Sequence, residues 1–319
     1  MRRSWTVLYG KYRFHSILES DAILPPYKGS TFRGVFGLAL KKVVCVLKTQ
    51  ECKDCLLRDR CVYFQVFETP RNPSPGIPAD KRPSPPHPFV IEPPLSRHTH
   101  LKQGESFDFG LILFGPASEK LPYFVYAFEQ MGRIGIGQKI RGQRPQFHLI
   151  RVTSDDKVIY QAQDRRLLLD STTNLQLAAP APEDKSCNQI TVILQTPLRL
   201  KFRNTYRAEL PFHVLIRGIL RRIAALNNHY GAGEPDLDYR GLVARAQEIK
   251  TVASSVRWYD WKRYSNRQEQ AMLMGGMIGQ VTYRGTLGEF LPLVRFAEQV
   301  HLGKATTFGL GKIKMVRET

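Results

Sequence analysis

The sequence lacks long hydrophobic runs and a signal-type leader. No apolar stretch reaches the ~18 residues that a membrane-spanning helix needs, so no membrane partner is expected. The opening residues, MRRSWTVLYGKYRFHS, alternate like a strand instead of forming an apolar signal core. We therefore expect a cytoplasmic protein.

Acidic residues are scarce relative to basic ones. Asp and Glu number 28 against 47 Lys and Arg, which leaves a formal net charge of +19. An excess of this size indicates a polyanionic partner, and nucleic acid is the usual one. The charges are spread along the chain instead of lying on one amphipathic helix, which disfavours a membrane surface. A protein that is merely basic remains the alternative.

Complete nucleotide-binding motifs are also missing. The segment HLGKATTFGLGK at 301–312 has glycines and lysines, but Lys312 is followed by Ile313 and the loop leads into a strand, unlike a Walker loop. A dinucleotide fingerprint would have to follow a strand, whereas this loop follows a helix. Two interpretations survive: glycines that admit a phosphate close to backbone amides, with Lys304 and Lys312 supplying charge, or a plain glycine turn.

Cysteine is sparse but clustered. Four of the five cysteines, Cys45, Cys52, Cys55 and Cys61, occur within 45–61. In a cytosolic chain, thiolates spaced this closely favour tetrahedral Zn²⁺ over disulfides, and four thiolates would make the metal structural. An iron–sulfur cluster and unliganded thiols are the alternatives. Cys187 is expected to be solitary.

The first half alternates strands and helices. The predicted strands are 5–17, 107–114 and 146–152, and the predicted helices are 30–47, with a Ser30 cap, and 121–131. Residues 70–94 hold ten of the 21 prolines and are predicted to form an irregular connector that ends near PFVIEPP. The resulting order is β-α-β-β-α-β, the ferredoxin-like unit.

The second half repeats this plan after a polar linker at 161–189. Predicted strands cover 190–200, 252–259, 271–283 and 312–316, and predicted helices cover 210–226, part of 236–250 and 287–300. LPYFVYAFEQMGRIGIGQKIRG at 121–142 aligns with LPLVRFAEQVHLGKATTFGLGK at 291–312. We predict an α+β protein with two tandem ferredoxin-like (RRM-like) βαββαβ domains at 1–160 and 190–319, the first carrying an inserted cysteine-rich knuckle.

Five segments resemble the RAMP superfamily of CRISPR systems, and in particular the Cas6 endoribonucleases that cut precursor CRISPR RNA. They are LPPYKGSTFRGVFG at 24–37, GRIGIGQKIRGQ at 132–143, RYSNRQ at 263–268, MGGMIGQVTYRG at 274–285 and HLGKATTFGLG at 301–311. The resemblance implies cleavage within repeats by the RNA's own 2′-hydroxyl, giving 2′,3′-cyclic phosphate and 5′-hydroxyl ends, with no cofactor for catalysis. It implies CRISPR repeat RNA and other CRISPR effector or adaptation proteins as partners.

The resemblance also directs attention to histidines. Many members of that family carry a catalytic histidine on or just before the first helix, but 24–40 contains none and offers Lys28 and Arg33 as cations. His301, before the glycine loop, and His15, expected to approach the first helix, compete for the role of proton carrier, against the alternatives of a helix cap and a surface residue. His98 and His100 follow the proline-rich connector with no partner that the sequence identifies.

Candidate RNA-binding residues combine charge, glycine and aromatic character. In RYSNRQ they would contact phosphate and stack on a base, or form a solvated turn. The full set is Arg33, Lys139, Arg141, Arg217, Arg221, Arg263, Tyr264, Arg267, Lys304, Gly309, Gly311 and Lys312. A non-catalytic RAMP subunit that holds guide RNA, and a generic RNA-binding protein, are the competing functions.

Overall fold

A computed structural model describes residues 6–48, 51–69, 84–168, 172–178, 186–265 and 270–317. The chain is an α+β protein that divides into two compact units. We call 8–174 the N-terminal unit, and we call 175–319, together with Thr6 and Val7, the C-terminal unit. The division falls inside the segment that the sequence predicts as a linker. None of the described helices is long and apolar enough to span a membrane.

The first half of the chain carries a large sheet with two helices. Its strands are β1 (Thr6–Leu18), β2 (Ala22–Ile23), β3 (Phe89–Glu92), β4 (His100–Leu101), β5 (Ser106–Phe114), β6 (Phe147–Ser154), β7 (Lys157–Gln161), β8 (Arg166–Leu167) and β9 (Thr173–Gln176), and its helices are α1 (Gly29–Val44) and α2 (Leu121–Ile134). The sheet order is β3-β5-β1-β6-β7-β8, and β9 pairs with β1. The short strands β2 and β4 form a separate ladder.

One face of this sheet packs against the helices, because buried apolar and exposed polar side chains alternate along β1. Phe14 is fully buried, and its ring lies 4.6 Å from Phe128 of α2. Phe36 of α1 packs 4.5 Å from the same Phe128 ring, which joins both helices to one aromatic core. Lys11 and Arg13 are exposed, so β1 presents its polar side chains to the opposite face.

The second half repeats the arrangement. Its strands are β10 (Gln189–Leu198), β11 (Lys201–Phe202), β12 (Thr205–Tyr206), β13 (Lys250–Ser254), β14 (Arg257–Ser265), β15 (Gln270–Arg284) and β16 (Ile313–Arg317), and its helices are α3 (Phe212–Tyr230), α4 (Tyr239–Arg245) and α5 (Leu291–Val300). The sheet order is β13-β15-β10-β16, β14 extends β15 as a long hairpin, and β11 and β12 form a small hairpin of their own.

Three local predictions need correction. The first helix begins at Gly29 with Lys28 in the cap position, and the buried Ser30 hydroxyl has no hydrogen-bond partner, so Ser30 does not cap it. Residues 89–92 are a strand instead of irregular connector; all four side chains are buried, so no alternation marks them. Strands β8 and β9 lie within the predicted linker, and residues 70–83 lie outside the described residues.

Candidate nucleic-acid interface

The C-terminal glycine loop, 301–312, is closed by tight backbone packing. Gly303 and Gly311 both have φ of +79°, a conformation that favours glycine. A Cβ atom on Gly303 would lie 2.4 Å from the Arg199 carbonyl oxygen, and one on Gly311 would lie 1.9 Å from the Leu302 carbonyl oxygen. These glycines therefore serve contacts within the protein.

The backbone amides of this loop are also used internally. The amide of Lys304 donates to the Arg199 carbonyl at 3.0 Å, and that of Gly311 donates to the Pro197 carbonyl at 3.0 Å. The Lys312 amide donates to the Thr196 hydroxyl at 2.9 Å. Amides with protein acceptors do not cradle a phosphate, so the geometry favours the glycine turn over the phosphate loop.

Among the loop residues predicted to bind RNA, exposure differs. Gly309 and Gly311 are buried, the Lys312 side chain is half-buried, and only the Lys304 side chain is exposed. We retain Lys304 as a candidate phosphate contact, because an exposed ammonium is available to a polyanion whereas buried glycines are not.

His301 is enclosed within this loop. Its side chain is fully buried, its φ is +57°, and its Nδ1 lies 3.0 Å from the Leu310 carbonyl oxygen. Beside it, buried Arg222 donates from Nε and Nη2 to the Val300 carbonyl at 3.2 and 2.9 Å. These contacts brace the end of α5. The imidazole of His301 is buried and is not exposed to a substrate. Its burial therefore gives no support to the predicted catalytic role.

His15 lies on the face of the N-terminal sheet away from α1. Its Nδ1 is 3.0 Å from the Asp108 carboxylate, and its Nε2 is 3.2 Å from the Thr153 hydroxyl. The expectation that His15 approaches the first helix is wrong, because the alternation of β1 turns Phe14 toward the helices and His15 away. Both of its ring nitrogens face protein groups.

Lys28 and Arg33, the cations predicted around the first helix, are engaged inside the N-terminal unit. Lys28 is buried, and its Nζ donates to the carbonyls of Ser96 and His98 at 2.5 and 2.9 Å. Burial lowers the pKa of its ammonium. The Arg33 guanidinium lies 5.0 Å from the centre of the Phe67 ring. In this arrangement Lys28 anchors a loop and does not face solvent.

The glycine loop of the N-terminal unit, 135–144, has an exposed basic tip. Gly137 packs against β2, where a Cβ atom would lie 2.4 Å from the Ile23 carbonyl oxygen, and the Gln138 amide donates to that same oxygen at 3.0 Å. Lys139 and Arg141, both predicted to bind RNA, have exposed side chains. This loop therefore offers two cations where its C-terminal counterpart offers one.

A basic and aromatic surface surrounds the small β11–β12 hairpin of the C-terminal unit. The Arg199 guanidinium lies 4.9 Å from the centre of the Tyr206 ring, and the Lys201 Nζ lies 5.6 Å from it. Trp258 of β14 packs against Tyr206 with ring centres 5.7 Å apart. Arg203 lies 5.4 Å from the Phe202 ring centre. We call Arg199, Lys201, Phe202, Arg203, Tyr206 and Trp258 the hairpin surface.

The hairpin surface adjoins predicted RNA-binding residues. Phe202 packs edge-on to His213 of α3 at 5.6 Å. Burial lowers the pKa of His213, and the nearby charges of Arg217 and Arg203 lower it further. Arg217 thus lies close to the hairpin, while Arg221 is exposed further along α3. On the other side, the glycine loop meets the hairpin surface through the Lys304–Arg199 backbone bond.

The sequence signal for this surface is the segment RLKFRNTYR at 199–207, which interleaves four cations with two aromatic residues. Such interleaving is typical of surfaces that contact phosphates and stack on bases. The predictions from sequence do not include this segment, because it contains no glycine motif and no helical period and matches none of the segments that carry the family resemblance.

The RYSNRQ prediction is only partly covered by the structure. Arg263 and Tyr264 lie on β14, where their backbones pair with Met272 and Ala271 of β15. Arg267 lies outside the described residues. On the same strand, the rings of Tyr259 and Trp261 stack at 5.7 Å. Base stacking by Tyr264 and phosphate contact by both arginines stay predictions.

The cysteine segment follows α1 in the N-terminal unit. Cys45 comes directly after the helix, and Cys52, Cys55 and Cys61 lie in or beside short 3₁₀ turns; all four are half-buried free thiols. Burial raises the pKa of Cys52; the charge of Lys41 opposes this shift, and the charges of Glu68, Cys61 and Cys45 add to it. Within the described ranges no group of three or more His, Cys, Asp or Glu side chains is arranged to hold a metal ion, and the zinc site stays a prediction.

Comparisons with known proteins cover both units. An N-terminal domain family, AF_1859_N, matches residues 7–172. The model of the CRISPR-associated endoribonuclease Cas6 matches residues 192–313. An uncharacterised protein of Archaeoglobus fulgidus is 25% identical over 294 residues, which is 90% of this chain and 91% of that protein.

Solved structures show the same fold. Thermus thermophilus Cas6 superposes with a TM-score of 0.52 and 12% identity, over 97% of this chain and 99% of that one. A chain of a partial Cas6-RT-Cas1–Cas2 complex superposes with a TM-score of 0.59 and 13% identity, over 99% of this chain. The protein spans about half the length of that chain, 47%. The match over more than half of the chain shows that it belongs to the family with an AF_1859_N N-terminal domain, and its C-terminal unit is similar to the Cas6 endoribonuclease domain in sequence and its fold is similar to that of Cas6 structures.

Proposed function

We propose that the protein is an endoribonuclease that cuts precursor CRISPR RNA within its repeats to release mature guide RNA. Cleavage would follow attack of a ribose 2′-hydroxyl on the adjacent phosphate, leaving a 2′,3′-cyclic phosphate and a 5′-hydroxyl. The reaction needs a base, an acid and a cation near the phosphate, all of which side chains supply, so we propose that it needs no metal. The match of the Cas6 endoribonuclease model to residues 192–313 supports this reaction class.

The hairpin surface is the observation that best supports RNA as the substrate. Guanidinium and ammonium groups lie within 6 Å of the Tyr206 ring, and Trp258 extends the aromatic surface. Cations bind phosphates of any sequence, whereas aromatic faces stack on unpaired bases. The combination fits single-stranded RNA flanking a repeat hairpin better than it fits a continuous duplex, whose bases are not available for stacking.

The alternative is a non-catalytic RAMP subunit that holds guide RNA in a CRISPR effector complex. One observation favours it: His301 is buried, and both ring nitrogens of His15 face protein groups. The fold and the charge would be the same in either case. The two functions therefore differ only in whether bound RNA is cut.

We also propose that each unit is ferredoxin-like. When only the four strands β3-β5-β1-β6 of the first sheet and β13-β15-β10-β16 of the second are numbered in chain order, both sets have the order 2-3-1-4, with a helix between strands 1 and 2 and another between strands 3 and 4. Association with CRISPR adaptation proteins is a further proposal, supported by the similar fold in a Cas6-RT-Cas1–Cas2 complex.

The deciding experiment incubates the purified chain with end-labelled repeat RNA from the source genome's CRISPR array, in buffer containing EDTA. We expect one cut whose upstream fragment resists phosphatase until its cyclic phosphate is opened, and a downstream fragment that accepts phosphate from a kinase. Binding without cutting would establish the alternative. A cut that requires added divalent cation would contradict the metal-independent mechanism.

A structural zinc ion held by Cys45, Cys52, Cys55 and Cys61 is proposed separately, from their spacing. Metal analysis of the purified chain is expected to find one zinc per chain, and Cys52→Ser with Cys55→Ser is expected to abolish it. Cys187→Ser is the matched control and should retain the metal. Iron with acid-labile sulfide in place of zinc would identify the cluster alternative, and no bound metal would contradict both.

A further inference from the structure

Two exposed histidines share one short segment of the N-terminal unit, residues 96–101. His98 and His100 have exposed side chains, Thr99 between them is half-buried, and Leu101 is buried. Within the β2–β4 ladder, Leu101 pairs with Ala22 and His100 pairs with Ile23. Both imidazoles are therefore exposed to solvent, with one residue between them in the chain.

This histidine segment is held firmly in place. The Leu24 amide donates to the Thr99 carbonyl at 2.8 Å, and Lys28 Nζ bonds the carbonyls of Ser96 and His98. The Thr99 hydroxyl lies 3.0 Å from Nδ1 of His100, which orients that ring. Burying an ammonium to hold two carbonyls is costly, so this anchor indicates that the position of the segment matters.

Cations lie on the other side of β2. Ile23 pairs with His100 on one side, and its carbonyl accepts the Gln138 amide of the N-terminal glycine loop on the other. Two strand spacings, about 10 Å, separate the His100 backbone from that loop. Lys139, which follows Gln138, is exposed, and so is Arg141. The arrangement places imidazoles and exposed cations around one short strand.

Five of the other six histidines are less exposed than His98 and His100, and the sixth, His148, is exposed but pairs with a carboxylate. Each is buried, half-buried or engaged with a protein group: His15 with Asp108, His87 with Thr69, His148 with Glu19, His213 against Phe202, His229 against Tyr230, and His301 with Leu310.

We propose that His98 and His100 are the base and the acid of RNA cleavage, an assignment that rests on the proposed function. One neutral imidazole accepts the 2′-hydroxyl proton as the 2′-oxygen forms its bond to phosphorus. The bond from phosphorus to the 5′-oxygen breaks, and the other imidazole, in its protonated form, delivers a proton to that oxygen. Lys139 or Arg141 stabilises the charge on the phosphate. Lys28 is a positioning residue that holds the two imidazoles in place.

The test compares His98→Ala, His100→Ala and the double variant with the unmodified chain in single-turnover cleavage of the labelled repeat RNA. Loss of either proton carrier is expected to slow cleavage about 10²- to 10⁴-fold. RNA affinity should change less than about 3-fold, because at most one of the two imidazoles carries a positive charge that can contact a phosphate. His148→Ala, an exposed histidine of the same unit, is the control and should cut normally. His98→Gln and His100→Gln repeat the test with side chains that keep hydrogen bonding but exchange no protons.

A second substrate separates the two roles. In an RNA whose 5′-bridging oxygen at the cut is replaced by sulfur, the leaving thiolate needs no proton, since thiols are far more acidic than alcohols. We expect this substrate to restore one of the two single variants to within about 10-fold of the unmodified chain, identifying the acid, and to leave the other slow.

The cleavage assay distinguishes an error in the proposed function from an error in the assignment of His98 and His100. If the unmodified chain binds repeat RNA without cutting it, the proposed function is wrong and this assignment falls with it. If the unmodified chain cuts and the double variant, equally folded, cuts at the same rate, only the assignment of His98 and His100 is wrong.

Discussion

The two glycine loops have the same sequence plan but different surroundings. Both follow a helix that begins with Leu-Pro, and both contain glycines with φ near +80°. The C-terminal loop, 301–312, directs its amides and its histidine inward and exposes only Lys304 among its predicted RNA contacts. The N-terminal loop, 135–144, packs on Ile23 and exposes Lys139 and Arg141.

The difference indicates that the glycines shared by the two loops serve packing before any other role. These glycines are needed wherever a carbonyl of a neighbouring segment approaches too closely for a side chain, as Arg199 does at Gly303 and Ile23 does at Gly137. Function then depends on what lies beside the loop. The C-terminal loop adjoins the hairpin surface. The N-terminal loop bonds to β2, the strand that also pairs with the segment carrying His98 and His100.

The largest effect is expected from adding a side chain to a glycine of the tightly packed C-terminal loop, 301–312. Gly311→Ala would place a methyl group 1.9 Å from the Leu302 carbonyl oxygen, in a backbone conformation that disfavours alanine. We expect the free energy of unfolding to fall by more than about 3 kcal/mol in urea titrations. The control is Gly142→Ala in the open loop, where φ is +85° and no atom lies within 4 Å; it should cost about 1–2 kcal/mol. Equal losses would contradict the distinction between the loops.

The next effect separates stability from catalysis at His301. Removing its buried ring and the contact with Leu310 is expected to lower the free energy of unfolding by about 2–4 kcal/mol. The folded fraction of His301→Ala should still cut RNA at the unmodified rate. A variant that stays stable and loses cleavage would instead restore His301 as a proton carrier.

A smaller effect is expected at the hairpin surface, where we propose that the C-terminal unit contacts RNA. Tyr206→Ala removes the ring around which Arg199, Lys201 and Trp258 gather, and we expect single-stranded RNA affinity to fall by about 1–3 kcal/mol, the usual contribution of one stacked base. Tyr126→Ala, an exposed tyrosine on α2, is the matched control. Unchanged binding by Tyr206→Ala in fluorescence anisotropy would remove the hairpin surface from the interface.

The smallest effect compares the exposed cations of the two loops. For each phosphate contact removed, the slope of log K against log salt should decrease by about 0.7 for single-stranded RNA. The double variant Lys139→Ala with Arg141→Ala should therefore lose about twice the slope lost by Lys304→Ala. If Lys304→Ala lost more, the C-terminal loop would be the main phosphate contact after all.

Local patterns predicted much of the fold. The helix expected at 121–131 is α2, Leu121–Ile134, because its apolar period and starting proline are local signals. The strand at Phe89–Glu92 was missed, because a strand buried on both sides has no alternation and its flanking prolines indicate a connector. The Ser30 cap failed because Lys28, anchored far along the chain, occupies the position before the helix.

The candidate site was harder to predict than the fold. His301 was singled out because it stands beside a glycine motif, and His98 and His100 were set aside because no neighbouring residue gives them a role. The exposure of His98 and His100 and the burial of His301 are the grounds on which we propose the opposite order. The hairpin surface has a sequence signature in 199–207, but the packing of Tyr206 against Trp258, more than fifty residues away, is a tertiary contact.

The sequence by itself determined the basic character, the α+β class and the positions of most helices and strands, because charge, periodicity and proline or glycine placement act over a few neighbouring residues. Only the tertiary structure decided which glycine loop is closed and which histidines reach solvent. Those outcomes depend on contacts such as Lys28 with Ser96 and Arg199 with Lys304, between segments far apart in the chain, and no local pattern specifies which distant carbonyl will meet a given side chain.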